Sequence, residues 1–96
     1  MAANGRITVD DGATSALSES GGSLLTAGIV EVEGTFGAGD AVEISNLSGE
    51  VFAKGLIAFD SETAQQWKGS RTEDLAPGTS PVAIHRDDLV LLNNPS

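Results

Sequence analysis

Cysteine is absent from this 96-residue chain, which excludes disulfides and thiolate metal sites and leaves the redox compartment open. Long hydrophobic runs are missing too. No apolar stretch approaches the ~20 residues that a bilayer span requires, and Met1-Ala2-Ala3-Asn4 lacks the charged and apolar regions of a signal peptide. A cytoplasmic protein with no membrane partner is the expectation. The scarcest feature is positive charge. From Ile7 to Ala53 there is no Lys or Arg, while eight carboxylates fall in the same stretch, and the whole chain carries a net charge of −9. A phosphate backbone is repelled by such a surface, because nucleic-acid affinity comes largely from cations that displace condensed counterions. The charge therefore argues against RNA as a partner. The same acidity keeps a small domain soluble.

Ninety-six residues make one domain. A chain of this size buries somewhat more than ~60% of the surface its unfolded form exposes. That suffices for one core, filled by the 40% hydrophobic residues, but not for a deep catalytic cleft as well. Residues 5–92 read as the domain, residues 1–4 as a disordered or appended start, and residues 93–96 as a tail. Arg6-Ile7-Thr8-Val9 alternates polar and apolar and predicts a strand. Asp10 or Asp11 then suits the N-cap of a helix over Gly12 to Glu19, with Ala13, Ala16 and Leu17 on one apolar stripe. Ser20-Gly21-Gly22-Ser23 ends it. Leu24-Leu25 and Ile29 to Glu33 form the next strand region, with a bend at Gly28. In Val30-Glu31-Val32-Glu33 the alternation predicts both valines on one face and both glutamates on the other. Ala41 to Ile44 and Val51 to Phe59 flank a hairpin turn at Asn46 to Glu50. Asp60 or Ser61 caps a second helix that runs to about Lys68. Ser70 to Pro81 is irregular, with a helical turn near Thr72 to Leu75, and Val82 to Leu92 is a closing strand region interrupted by Arg86-Asp87-Asp88. This order predicts a mainly β fold, a small mixed barrel capped by two short helices.

Few groups here carry chemistry. His85 is the only histidine. A general base or metal ligand needs partners within bonding reach, and Asp87 shares its side only if the strand continues. A structural role beside the closing strand is the preferred reading. Glu31 and Glu33 can hold Mg²⁺ or divide acid and base roles as a pair, or stand solvated on an open sheet face. Solvation is the simpler reading, and Asp10-Asp11 and Asp87-Asp88 serve as caps and turn residues. Gly34-x-x-Gly37-x-Gly39 has no following Lys-Ser/Thr and opens no helix, so it is not a phosphate-binding loop. Trp67, the sole tryptophan, is either buried or part of a contact patch. No catalytic, cofactor or metal residue is assigned.

Three blocks in fixed order carry a family resemblance: Ile7-Thr8-Val9-Asp10-Asp11-Gly12-Ala13, Gly28 to Gly34, and Ile84-His85-Arg86-Asp87-Asp88-Leu89-Val90. Between them lie Gly39-Asp40-Ala41-Val42-Glu43-Ile44 and Lys54-Gly55-Leu56-Ile57-Ala58-Phe59. Together they resemble the PUA family, and within it the C-terminal PUA domain of glutamate 5-kinases. The resemblance runs from about Gly5 to Leu92. It departs between Gln65 and Pro81, where the kinases are expected to carry a longer helix with a basic end and an acidic, aromatic linker. It implies a PUA-like pseudo-barrel of mixed, mostly antiparallel strands. It also implies a parent enzyme that phosphorylates L-glutamate at the start of proline biosynthesis, with ATP and Mg in a separate N-terminal amino-acid-kinase domain. The present module is then catalytically silent and serves contact with that domain or with other subunits, or regulation by proline. In other members of the family the domain binds RNA. Carried onto this chain, that surface comprises Gly21, Gly22, Ser23, Leu25 and Gly28, with His85 and Arg86 near the last strand. Only Arg86 among them is a fixed cation, and Asp87-Asp88 follow it directly. An RNA-binding module is the alternative reading, and a free-standing small-ligand or partner-binding protein a third.

Overall fold

The computed structural model describes residues 4–71, 74–75, 77–78 and 80–92. In chain order the elements are β1 (Gly5–Val9), α1 (Asp11–Ser20), β2 (Leu24–Leu25), β3 (Ile29–Gly34), β4 (Ala41–Ser45), β5 (Val51–Leu56), α2 (Ser61–Trp67), β6 (Val82–Ile84) and β7 (Leu89–Leu91). Five strands form one sheet in the order β3-β1-β4-β5-β7, while β2 and β6 form a separate two-stranded ladder. All pairings are antiparallel except β1 with β4. A parallel pair needs a long crossover, and here the connection carries α1, β2 and β3. The result is the mainly β, mixed arrangement with two short helices expected from the sequence.

Local chemistry explains most of these elements. Asp10 is the N-cap of α1: its carboxylate accepts the Ala13 N–H at 2.7 Å, satisfying a donor that lacks a partner in the first turn. Gly21 ends the helix in the left-handed region (φ 64°), where its N–H reaches the Ala16 carbonyl. Of the predicted stripe, Leu17 is buried, Ala13 half-buried and Ala16 exposed. Asp60 caps α2 in the same way as Asp10 caps α1. In the β4–β5 turn, Asn46 Oδ1 accepts the N–H groups of Ser48 and Glu50, both at 3.0 Å. Ile7, Leu17, Leu24, Ile44, Ile57 and Ile84 are all but sealed from solvent. Each such side chain contributes about 1.5–3 kcal/mol relative to an exposed one.

The structure departs from the sequence pattern at three places. Thr8 pairs with Glu31 but Val9 with Ile29, so Val30 is an extra residue, a β-bulge. Ile29 and Val32 both turn inward and Val30 is 44% exposed, which corrects the expectation that Val30 and Val32 share one face. Strand β5 stops at Leu56 rather than Phe59, because Ile57 leaves the ladder to bond the 37–40 loop through Gly39 N–H and the Asp40 carbonyl. The closing strand region is two strands in two sheets. β6 pairs with β2, a 3₁₀ turn at Arg86–Asp88 redirects the chain, and β7 adds to β5. The helical turn expected near Thr72 to Leu75 lies partly outside the described residues, as do residues 93–96 of the tail and residues 1–3.

Candidate functional site

Two concave surfaces lie near the residues singled out from the sequence. The first is a groove of about 260 Å³ between α1 and the turn that follows β2, floored by Ala13, Ala16, Leu25 and Gly28, with Asp10 and Ser23 at its margin. The backbone places these residues together for a specific reason. A Cβ on Gly28 would lie 2.7 Å from the Ala13 Cβ, so only glycine lets the turn approach the helix this closely. The Asp10 N–H donates to the Gly28 carbonyl at 3.0 Å, pinning the two segments. Gly28 is thus a packing residue before it is a contact residue.

The residues singled out from the sequence converge only in part. The Ser23 hydroxyl accepts the Arg86 N–H at 2.9 Å, so the loop after α1 and the turn before β7 do meet. Leu25 is exposed beside them, while Leu24 is buried against Ile84. Gly21 and Gly22 complete the helix end, both bonding the Ala16 carbonyl. His85 caps the 3₁₀ turn: its Nδ1 accepts the Asp87 N–H at 3.2 Å and lies 3.5 Å from Asp87 Oδ2. The imidazole does share a side with Asp87, but through a turn and not a continued strand. Both groups are exposed.

Charge around this surface is mostly negative. Asp10, Asp11 and Glu19 stand on or beside α1. Of the cations, Arg6 pairs with Glu43 at 3.5 Å across the β1–β4 pair, and Lys68 lies 3.9 Å from Glu31. Glu31 therefore has a cationic neighbour, and Glu33 stands opposite Arg6 in the β1–β3 register. Among the described residues, no three His, Asp or Glu side chains gather closely enough to hold a metal ion.

The second concavity is wider, about 800 Å³, and lies between the end of β5, α2 and the turn at His85. Its walls include Leu56, Phe59 and Trp67, with His85 and Asp88 on the polar side. Phe59 and Trp67 meet edge to face with centroids 5.1 Å apart, the arrangement aromatic quadrupoles favour. Trp67 is half-buried, so it both packs and faces this groove.

One organising residue left no trace in the sequence. Thr26 is fully buried. Its N–H donates to the Pro81 carbonyl at 2.9 Å, its hydroxyl to the Ser70 carbonyl at 2.8 Å, and its own carbonyl accepts the Gly69 N–H at 2.8 Å. It ties the segment that follows α2 to the turn behind both grooves. A threonine in Leu-Leu-Thr-Ala-Gly carries no local mark of that role, because Gly69, Ser70 and Pro81 are all distant in sequence.

Comparison with known proteins adds family context to this geometry. The family model described as "PUA domain" matches residues 5–78. Among curated proteins, a glutamate 5-kinase of Streptomyces avermitilis is 47% identical over 92% of this chain and 24% of its own length. A glutamate 5-kinase of Idiomarina loihiensis is 43% identical over 98% of the chain and 27% of its own length. The chain thus spans about a quarter of the curated relatives it matches. Among solved structures, a PUA domain from Aeropyrum pernix K1, crystallised as a tartrate complex, superimposes with a TM-score of 0.65 at 30% identity, over 86% of this chain and 43% of that one. The archaeal box H/ACA sRNP Nop10-Cbf5 complex gives 0.60 at 26% identity, over 86% and 25%.

Proposed function

The chain belongs to the PUA domain family, and we propose that it serves as the non-catalytic PUA module of a glutamate 5-kinase. The observation that carries this reading is its 47% identity to such a kinase over nearly all of its length. On this reading the ATP-dependent phosphorylation of L-glutamate to glutamyl 5-phosphate, which opens proline biosynthesis, occurs in an N-terminal amino-acid-kinase domain. ATP and Mg²⁺ are bound there, and none of that chemistry is routed through the residues described here. Residues 5–92 supply contact with the kinase body or another subunit, and tune oligomerisation or the response to proline, in the cytoplasm.

A second reading, an RNA-binding module using Gly21, Gly22, Ser23, Leu25, Gly28, His85 and Arg86, is favoured by the likeness to the H/ACA particle proteins. The acidic frame of the α1 groove weighs against it, since Arg86 stands beside Asp87 and Asp88. Two assays test the proposal. The 96-residue chain with ATP, Mg²⁺ and glutamate is expected to form no glutamyl phosphate, whereas the parent polypeptide forms it. Turnover by the 96-residue chain alone would overturn the proposal, and so would a parent polypeptide that carries no kinase activity.

A further inference from the structure

We propose that the outer face of β5 and β7 is the surface on which the catalytic domain of the same polypeptide docks, an inference that rests on the reading of this chain as a kinase module. Leu56, Val90 and Leu92 are 47%, 64% and 41% exposed, and all three line one groove of about 440 Å³. The register explains their grouping. Leu56 stands opposite Ala41 and Val90 opposite Lys54, so alternation along the strands brings these side chains to one face. Leu56 and Asp88 also border the larger groove that holds Phe59 and Trp67, so the two concavities are neighbours. Large apolar side chains gathered on an otherwise acidic surface mark an interaction site. β7 is moreover an edge strand of its sheet, the position at which a fold invites a partner unless it is covered.

The path of the chain indicates which partner. The Asn4 N–H donates to the Ala41 carbonyl at 3.0 Å, and Ala41 is itself a wall of the groove. Polypeptide that precedes β1 therefore reaches the domain at the edge of this apolar face. In relatives about four times as long as the matched region, a domain attached there is held at high effective concentration and docks intramolecularly. The groove's lining carries Asp87 and Asp88 on one side and Lys54 on β5. The docking face of the kinase domain is accordingly apolar at its centre with Lys or Arg set opposite the two aspartates, since complementary charge fixes register.

The test uses the full polypeptide with single cysteines introduced by Val90→Cys or Leu56→Cys in the groove, and by Ser48→Cys on the exposed β4–β5 turn. Maleimide labelling is followed by mass spectrometry of the modified peptides. The groove thiols are expected to react about tenfold more slowly than the Ser48→Cys thiol, as a tethered partner keeps the site closed, and all three at one rate in urea. Equal rates in the folded polypeptide would overturn the proposal. Protection that disappears on dilution would overturn it too, by assigning the face to a second copy. Glutamate phosphorylation in the same preparation is read separately: an inactive polypeptide sinks the functional reading, whereas an active one with an unprotected groove sinks only the docking surface.

Discussion

At the scale of single residues, two buried positions carry more of this domain than their chemistry suggests. Thr26 satisfies two carbonyls and one amide from two distant segments, Gly69-Ser70 and Pro81. Replacing it by valine keeps the shape but leaves the Ser70 carbonyl without its hydroxyl donor, a cost of about 1–3 kcal/mol for a buried acceptor. Urea denaturation of Thr26→Val checks this, and an unchanged midpoint would contradict it. Gly55 lies where β5 passes under β6 and the 3₁₀ turn. A Cβ there would sit 2.8 Å from the Ile84 Cγ2 and 3.1 Å from the Asp88 carbonyl oxygen. Gly55→Val is thus expected to lose about 1–3 kcal/mol to overpacking, or more if the turn at Arg86–Asp88 is displaced. Both roles arise from distant contacts, which is why neither residue stood out beforehand: Thr26 meets Ser70 and Pro81, and Gly55 meets Ile84. Asp10 and Asp60 are the opposite case. An aspartate just ahead of a helical pattern announces a cap locally, and each cap forms at the first of the two residues the sequence offers.

At the scale of elements, helix α2 gives a pH-dependent prediction. Asp60 Oδ1 accepts the Thr63 N–H at 2.8 Å. That backbone bond first, then a side-chain bond from Thr63, holds the carboxyl below its ordinary value of 3.8 against a slight opposing effect of burial. A depressed folded-state pKa stabilises fully above the unfolded value, and the contribution is lost as pH falls through the folded one. The gap in denaturation midpoint between the wild type and Asp60→Ala should therefore be present at about pH 7 and shrink towards about pH 2; a gap independent of pH would contradict the cap. The strands divide in how legible they are. The β4–β5 hairpin is announced by Asn46 and by the apolar runs on either side of it. The bulge at Val30 is not, because Val-Glu-Val-Glu is a regular alternation that only the pairing with Thr8 and Val9 breaks. Nor does the sequence reveal that Val82 to Leu92 serves two sheets. His85 and Arg86-Asp87-Asp88 mark an interruption, yet its consequence depends on what each half pairs with. The far edge of the main sheet is covered: the Gln65 side chain donates to the Val32 carbonyl at 2.8 Å from α2. At the β7 edge, by contrast, Val90 and Leu91 are exposed, which suits the proposed docking of a partner there.

At the scale of the whole molecule, charge separates function from fold. The structural likeness to the archaeal box H/ACA sRNP Nop10-Cbf5 complex holds at 26% identity, and the loop after α1 does meet the turn before β7 through Ser23 and Arg86. The PUA fold is thus shared, and the family resemblance made it readable in advance. What differs is the potential around it: a net charge of −9 and no Lys or Arg from Ile7 to Ala53. A fold licenses no function by itself. On the proposed reading the domain serves protein contact and does not hold polynucleotide. Fluorescence anisotropy of labelled tRNA titrated with the chain at low salt tests it most directly. The account predicts no saturable binding; tight binding that weakens steeply as salt is raised, the signature of counterion release, would contradict it.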